Sequence, residues 1–263
     1  MGEGLSRRAR VHAALGEPAR LAIVDQLVSG DASSGELGQT LGIATNLMAH
    51  HLRVLRDAGV IRRLTSEGDR RRSYLQLRLE DPLVRAMVAP VPPPPPASRV
   101  VFVCTHNSAR SQLAAASWRQ ISRVPVACAG THPADRVHPG AVAAGRRHGL
   151  RLGRAPTAHI DQVLQPADLV VAVCDNAHEE LDPNLTRLHW SIPDPVRVGT
   201  DEAFDAAYAQ ILGRVHHLAR REQSSGGQTG QPDGRQQDVR PGSHLRASSP
   251  SRGPTRRSVP PTW

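Results

Sequence analysis

A cysteine, an arginine and a serine lie within one short segment that connects an expected strand to an expected helix. The strand is the apolar run 99–103, and Gln112 begins the helix. Between them, five residues separate Cys104 from Arg110, and Ser111 follows directly. Backbone N–H groups at the start of a helix bind oxyanions, and their positive field favours a thiolate nucleophile. The spacing therefore predicts an oxyanion site in which Cys104 attacks the bound group.

The other residues of this segment have roles that follow from their position. Arg110 can hold two oxyanion oxygens with its planar guanidinium, and the Ser111 hydroxyl is placed to hydrogen-bond the thiolate. The residues that follow Cys104 are predicted to bind the oxyanion: Thr105, His106, Asn107, Ser108, Ala109 and Arg110 itself. A leaving group also needs a proton donor, and Asp194, between two prolines, is the candidate general acid. The similar pair Asp182-Pro183 is interpreted as a turn.

Composition limits the classes of protein that this chain can be. Its 263 residues suffice for one large domain or two ordinary ones, but 39% apolar and 3% aromatic residues cannot fill a core throughout. Some segment is therefore expected to be disordered. Neither a membrane span nor a secretion signal is expected from the hydropathy. Three cysteines cannot form a disulfide framework, which favours the reducing cytoplasm.

Two changes in composition divide the chain. Prolines 92–96 favour a stiff extended spacer, and from residue 222 onward almost no aliphatic side chains remain. We therefore predict four segments: a winged helix-turn-helix domain (1–88), a proline-rich linker (89–98), an α/β domain (99–221) and a disordered tail (222–263). The expected fold class is an α+β winged helix followed by an α/β three-layer domain with a small parallel sheet.

The first segment has the pattern of a DNA-binding helix-turn-helix. A short helix begins near Ser33 and stops at Gly42, and a longer one runs from Thr45 to about Ala58. A hairpin, or wing, follows, with a turn at residues 66–69. The predicted DNA contacts lie on the second helix and the wing: Thr45, Asn46, His50, Arg53, Arg70, Arg71 and Arg72.

The distribution of charge supports this interpretation better than the total does. The formal net charge is +9, lysine is absent, and segments 1–88, 89–221 and 222–263 each carry +3. Between Arg53 and Arg78, however, eight arginines stand against three acids. This local excess favours binding to DNA phosphates, although a solvated surface is the simpler alternative.

The N-terminal segment resembles the ArsR/SmtB family of winged-helix repressors, in residues 15–21, 50–60 and 70–74. The resemblance implies a homodimer that binds operator DNA and releases it when a metal or metalloid binds. Arsenic-sensing members often carry a cysteine pair where this chain has Ser33-Ser34, and residues 1–98 contain no cysteine. His50 and His51 are adjacent on a helix and face different ways. We therefore expect no metal site and no arsenite sensing through thiolates of this domain.

The central segment resembles the low-molecular-weight protein tyrosine phosphatase superfamily, which includes a class of arsenate reductases. The similarity rests on the loop 104–111, on residues 128–131 and 168–174, and on Asp194-Pro195. It implies a parallel sheet with the ligand loop at the carboxyl end of its first strand. Gln112 after the loop and Trp190 before Asp194 are similar to the reductases. The alternatives that remain are a tyrosine phosphatase and a non-catalytic, oxyanion-responsive regulator.

The reductase resemblance implies a mechanism. Cys104 attacks arsenate, Asp194 protonates the departing hydroxide, and a second thiol then releases arsenite. Thioredoxin-linked members supply two further cysteines; Cys174 matches the first, and none follows it. Cys174 is thus a possible resolving thiol, with a buried structural cysteine as the default interpretation for it and for Cys128. We expect no bound cofactor and an external thiol reductant, mycothiol with mycoredoxin rather than thioredoxin or glutathione.

Overall fold

Local signals in the sequence explain where the N-terminal helices begin and end. The four helices are α1 (Glu3–Leu15), α2 (Pro18–Ser29), α3 (Ser34–Leu41) and α4 (Thr45–Asp57). Ser33 and Glu36 form a capping box at the start of α3, and Gly42 ends that helix with a φ of 65°. Pro18 opens α2, where its missing N–H costs nothing. The predicted helix-turn-helix is confirmed in α3 and α4.

The wing is a two-stranded antiparallel hairpin of β1 (Ile61–Thr65) and β2 (Ser73–Leu77). Ile61 pairs with Leu77, and Thr65 pairs with Ser73. Arg70, Arg71 and Arg72 thus lie in the connection between the strands rather than in the second strand. A short helix, α5 (Pro82–Met87), follows the wing.

The second half of the chain builds a parallel sheet. Its strands are β3 (Arg99–Cys104), β4 (Val126–Gly130), β5 (Asp168–Ala172) and β6 (Arg187–His189), in the order β4-β3-β5-β6. The side chains of Val100, Val101, Phe102 and Val103 are completely buried, as expected for a central strand covered on both faces. The strand order reverses at β3, so the crevice outside its carboxyl end is the expected ligand position.

Within residues 98–152 and 157–225, six helices accompany the sheet: α6 (Arg110–Ile121), α7 (Pro139–Arg147), α8 (Ile160–Val163), α9 (Asp175–Glu180), α10 (Pro195–Val198) and α11 (Asp201–Ser225). The long helix α11 packs against α6 and α7. It continues past the predicted domain end at residue 221, so the chain is still helical through Ser225. The predicted winged helix and the predicted α/β domain with a parallel sheet are both confirmed.

The structure is a computed structural model that describes residues 2–88, 98–152 and 157–225, with only the backbone from 220 onward. The predicted linker, apart from Ser98, and the predicted tail from residue 226 lie outside these residues. The division of the chain into the four predicted segments therefore stays a prediction. Within the described part, no helix is both long and apolar enough to span a membrane.

The winged helix and the α/β domain pack together in one compact unit. At the centre of their contact, Arg214 of α11 donates to both oxygens of Asp31 at 2.8 Å. The same carboxylate accepts from the Gln76 side chain at 2.8 Å and from the Ser191 N–H at 2.7 Å. Asp31 is 5% exposed, so this network is buried and joins the wing to the loop that precedes Asp194.

Candidate active site

The loop from Cys104 to Ala109 connects β3 to α6, and a neighbouring segment holds it by its carbonyl groups. The carbonyls of Cys104, Thr105, His106 and Ser108 accept hydrogen bonds from backbone N–H groups of the segment 131–138. In a trans peptide the C=O and the next N–H point in opposite directions. The amides that follow these carbonyls therefore point to the other side of the loop, where an oxyanion can accept from them.

Two residues make this tight loop possible. Asn107 has a φ of 49°, in the left-handed region that asparagine tolerates better than most residues. Gly130, at the end of β4, lies against the loop: a Cβ at this position would lie 2.7 Å from the Thr105 oxygen and 2.9 Å from the Asn107 nitrogen. Because both of these atoms belong to the backbone, only glycine allows β4 to approach so closely.

The sulfur of Cys104 is at the closed end of the loop. Cys104 is 2% exposed, and its Sγ lies 3.1 Å from the Ser111 hydroxyl. The side-chain amide of Asn107 donates to that same hydroxyl at 2.9 Å, which leaves the Ser111 proton free to point at the sulfur. This geometry can stabilise a thiolate at Cys104 through a charge-assisted hydrogen bond.

Arg110 and Asp194, which are distant in the sequence, meet beside the loop. The Arg110 guanidinium donates to the Ile192 carbonyl at 2.9 Å, and its second amino group lies 3.4 Å from the Asp194 carboxylate. Asp194 is also the N-cap of α10, because its carboxylate accepts from the Val196 N–H at 3.1 Å. The structure thus brings together the predicted catalytic residues Cys104, Arg110, Ser111 and Asp194.

The tip of the wing enters this site, which no sequence signal predicts. The Glu67 carboxylate lies 3.2 Å from the Arg110 guanidinium and accepts from the Asp194 N–H at 3.0 and 3.1 Å. Its own N–H donates to the Asp175 carboxylate at 2.9 Å. From the sequence, Glu67 is only an acid in a turn among arginines, and its meeting with Arg110 depends on how the two domains dock.

Charge and burial act against each other on Arg110. Burial disfavours the charged guanidinium, but the negative charges that Cys174, Cys104, Asp194 and Glu67 carry when ionised outweigh burial and raise the pKa of Arg110. Arg110 thus stays cationic in the site. An anion that enters the site therefore meets a permanent positive charge.

Burial disfavours ionisation of the other two cysteines. Cys174 follows β5 and caps α9, and its Sγ lies 3.5 Å from the Thr105 hydroxyl. Burial raises the pKa of the Cys174 thiol, although Arg110 opposes this shift. Burial also raises the pKa of Cys128 on β4, which is partly buried. Neither sulfur is prepared to ionise as a nucleophile would be.

The residues predicted to contact DNA are all on the surface. Thr45 and Asn46 form the exposed start of α4, His50 and Arg53 are exposed further along it, and the three wing arginines are exposed as well. In contrast, His51 is buried, with its Nδ1 3.4 Å from the Glu17 carboxylate, so His50 and His51 face different ways. Among the described residues, no group of three or more His, Cys, Asp or Glu side chains could hold a metal ion.

Comparison with known proteins finds a family match in the N-terminal part of the chain and another in the α/β domain. The model of the low molecular weight phosphotyrosine protein phosphatase family matches residues 99–226, and a helix-turn-helix domain model matches residues 15–63. An arsenate reductase of Halalkalibacterium halodurans is 35% identical over 123 residues, which are 44% of this chain and 88% of that protein. An arsenate reductase of Bacillus subtilis is 32% identical over 44% of this chain and 88% of that protein.

Among solved structures, the arsenate reductase of Archaeoglobus fulgidus is similar, with 28% identity and a TM-score of 0.41, over 46% of this chain and 98% of that one. The residues that the phosphatase family model matches include the oxyanion loop and Asp194. The helix-turn-helix match covers the turn between α3 and α4. The chain therefore belongs to the low molecular weight phosphotyrosine protein phosphatase family, as a member of the arsenate reductase type that carries an ArsR/SmtB-type winged helix in front of that domain.

Proposed function

We propose that the α/β domain reduces arsenate to arsenite with an external thiol, and that the winged helix links this domain to the control of transcription. The observation that carries the proposal is the meeting of Cys104, Ser111, Arg110 and Asp194 around one oxyanion loop. The curated relatives named arsenate reductase support arsenate as the substrate. An arsenate or phosphate-type oxyanion is thus the small-molecule partner.

The first step forms a bond between sulfur and arsenic. The Cys104 thiolate attacks the arsenic atom of arsenate, which the loop amides and Arg110 hold in place. An As–O bond breaks, and Asp194 protonates the departing oxygen, which leaves as water or hydroxide. The loop amides and Arg110 stabilise the negative charge that remains on the arsenate oxygens.

The second step reduces the arsenic. A thiolate attacks the Cys104 sulfur and forms a disulfide bond with it, while the S–As bond breaks. The electron pair of that bond leaves with arsenic, which passes from the +5 to the +3 state and departs as arsenite. Two sulfur atoms are oxidised to one disulfide, so the electrons balance, and a second reductant must then restore the Cys104 thiol.

The raised pKa of the Cys174 thiol argues for an external second thiol. Burial is the cause of this shift, and a protonated sulfur is a poor nucleophile. The possible intramolecular role of Cys174 therefore ranks behind a small-molecule thiol in this proposal. Mycothiol with mycoredoxin is the system we expect, ahead of thioredoxin and glutathione.

The decisive experiment measures arsenite production by the purified full chain with mycothiol, thioredoxin and glutathione systems side by side. We expect Cys104→Ser to abolish arsenite production and the control Cys128→Ala to retain it, because Cys128 lies on β4 outside the loop. Arsenite production by Cys104→Ser at the wild-type rate would contradict the proposal. Turnover of an aryl phosphate far above arsenate reduction would favour a tyrosine phosphatase, and oxyanion binding without turnover would favour a regulator.

A second function is proposed for the N-terminal domain, namely binding of operator DNA as a homodimer. A groove of 690 Å³ lies between α3, α4 and the wing, and Arg53, Arg56 and Arg63 line it. These arginines and the exposed Arg70–Arg72 present the positive charge that DNA phosphates require. The homodimer and the cytoplasmic location stay predictions, and sedimentation of the full chain measures the former.

A further inference from the structure

We propose that the carboxylate of Glu67 is an internal competitor for the oxyanion site, so that an oxyanion binds only when the wing tip has left. The inference shares its site with the proposed function and adds a regulation of that site. It rests on the position of a wing carboxylate against Arg110, the cation expected to hold the oxyanion, and against the N–H of Asp194.

The contacts of Glu67 are those of a bound anion. Its oxygens lie 3.2 Å from the Arg110 guanidinium and accept from the Asp194 N–H at 3.0 and 3.1 Å. Arg110 also donates to the Ile192 carbonyl and approaches Asp194, and its side chain is only 6% exposed. Both hydrogen bonds of its first amino group are thus taken by Glu67 and Ile192, and Glu67 must withdraw before an arsenate oxygen can take its place on that group. A bound oxyanion and the Glu67 carboxylate would also repel each other.

The wing tip, residues 66–69, is held in the site by contacts that share one acceptor, the Glu179 carboxylate. Glu179 of α9 accepts from the Ser66 hydroxyl at 2.7 Å, from the Asp69 N–H at 2.9 Å and from the Tyr74 hydroxyl at 2.8 Å. Between these anchors lies Gly68, where a Cβ would lie 2.5 Å from a Glu179 oxygen. The docked tip is therefore a specific, closely fitted state.

Competition for one site makes the two events thermodynamically linked. An oxyanion that displaces Glu67 weakens the docking of the wing, and any partner that holds the wing away from the site strengthens oxyanion binding by the same factor. The displaced tip leads directly into Arg70, Arg71 and Arg72, the residues predicted to contact DNA. Oxyanion occupancy can thus change what the wing presents, without any metal site in the winged helix.

The test measures the binding of inorganic phosphate to the full chain by calorimetry, in the wild type and three variants. Glu67→Gln removes the competing charge, and we expect the phosphate dissociation constant to fall about tenfold or more, the factor typical of lost hydrogen bonds to a charged group. Glu67→Asp keeps the charge on a shorter side chain, and we expect phosphate to bind more tightly there too, though by less. The control Glu80→Gln makes the same charge change at the base of the wing and should bind phosphate as the wild type does.

A second measurement follows the wing itself. In the wild type, saturating phosphate should lower the hydrogen-exchange protection of the Glu67 and Asp69 amides, which donate to Asp175 and Glu179. Equal dissociation constants for wild type and Glu67→Gln would overturn the proposal. Tighter phosphate binding in Glu67→Gln with an unchanged dissociation constant in Glu67→Asp would also overturn it, because that pattern indicates charge repulsion without occupancy of the site. Failure of the wild type and all variants to bind phosphate would overturn it as well. If the variants bind phosphate as expected but the wild type produces no arsenite, the result counts against the reductase proposal alone.

Discussion

Asp194 shows how a single carboxylate acquires a defined orientation from its neighbours. One oxygen accepts from the Val196 N–H at 3.1 Å, and the other lies 3.4 Å from the Arg110 guanidinium. The Asp194 side chain is 15% exposed, so a ligand or water can reach the carboxylate. The same Asp-Pro sequence occurs at Asp182, where the carboxylate only closes an exposed turn through Asn184. The same Asp-Pro pair is thus part of a candidate active site at Asp194 and of an exposed turn at Asp182.

This difference gives a matched pair of variants. We expect Asp194→Asn to lower kcat for arsenate reduction about 100-fold or more, because the amide cannot protonate the departing oxygen. The value of KM should change little, since asparagine keeps the shape and the N-cap of α10. Steady-state kinetics of the full chain measures both constants. Asp182→Asn is the control and should keep the wild-type kcat; a similar loss in both variants would remove Asp194 from the mechanism.

At the scale of elements, α4 and the wing present charge to the solvent. Arg53 on α4 is exposed, and so is Arg71, which pairs only with Asp69 two residues earlier. Exposed ion pairs of this kind contribute little to stability and can be exchanged for DNA phosphates at small cost. The buried residues Met48, Leu52 and Leu55 on the inner face of α4 anchor this helix in the core.

Substitution of these arginines should weaken DNA binding without disturbing the fold. We expect Arg53→Ala to lower the affinity for duplex DNA and to reduce the slope of log K against log salt concentration by about 1, the amount for one lost phosphate contact. Fluorescence anisotropy over a salt series measures the slope. Arg123→Ala removes an exposed arginine after α6 and serves as the control. Equal slopes for all three proteins would argue against α4 as the DNA-contacting helix.

At the scale of the whole molecule, the winged helix contributes directly to the surroundings of the catalytic loop. Asp31 receives hydrogen bonds from Arg214, Gln76 and Ser191, and the Asp31 N–H donates to the His189 carbonyl at 2.7 Å. Ser191 begins the segment that leads to Asp194. The position of Asp194, the proposed general acid, is therefore set in part by a residue of the other domain.

Removal of this carboxylate should destabilise the docked protein. We expect Asp31→Ala to lower the free energy of unfolding by about 3–5 kcal/mol, because Arg214 is left buried without its ionic partner. The double variant Asp31→Leu/Arg214→Met removes both charges and should recover part of the loss. Urea denaturation of the full chain measures these values. A loss below about 1 kcal/mol in the single variant would mean that the network contributes no more than an exposed ion pair.

The sequence by itself determined the features that depend on local pattern. Three features each involve only a few neighbouring residues, so they could be predicted. The apolar run predicted β3, the Cys104 to Arg110 spacing predicted the oxyanion loop, and the caps at Ser33 and Gly42 predicted α3. Asp194 could be predicted only in combination with the loop, because an Asp-Pro pair alone indicates a turn.

Only the tertiary structure decided which distant groups share the site. Glu67 and Arg110 are 43 positions apart and Asp31 and Arg214 are 183 apart, so no periodicity or motif connects them. Their meeting depends on the docking of one folded domain against another, which the shapes of both surfaces decide. The sequence therefore predicted the candidate reacting groups. The tertiary structure brought a carboxylate of the wing to within 3.2 Å of the buried Arg110 guanidinium, because only the docked fold places that charge there.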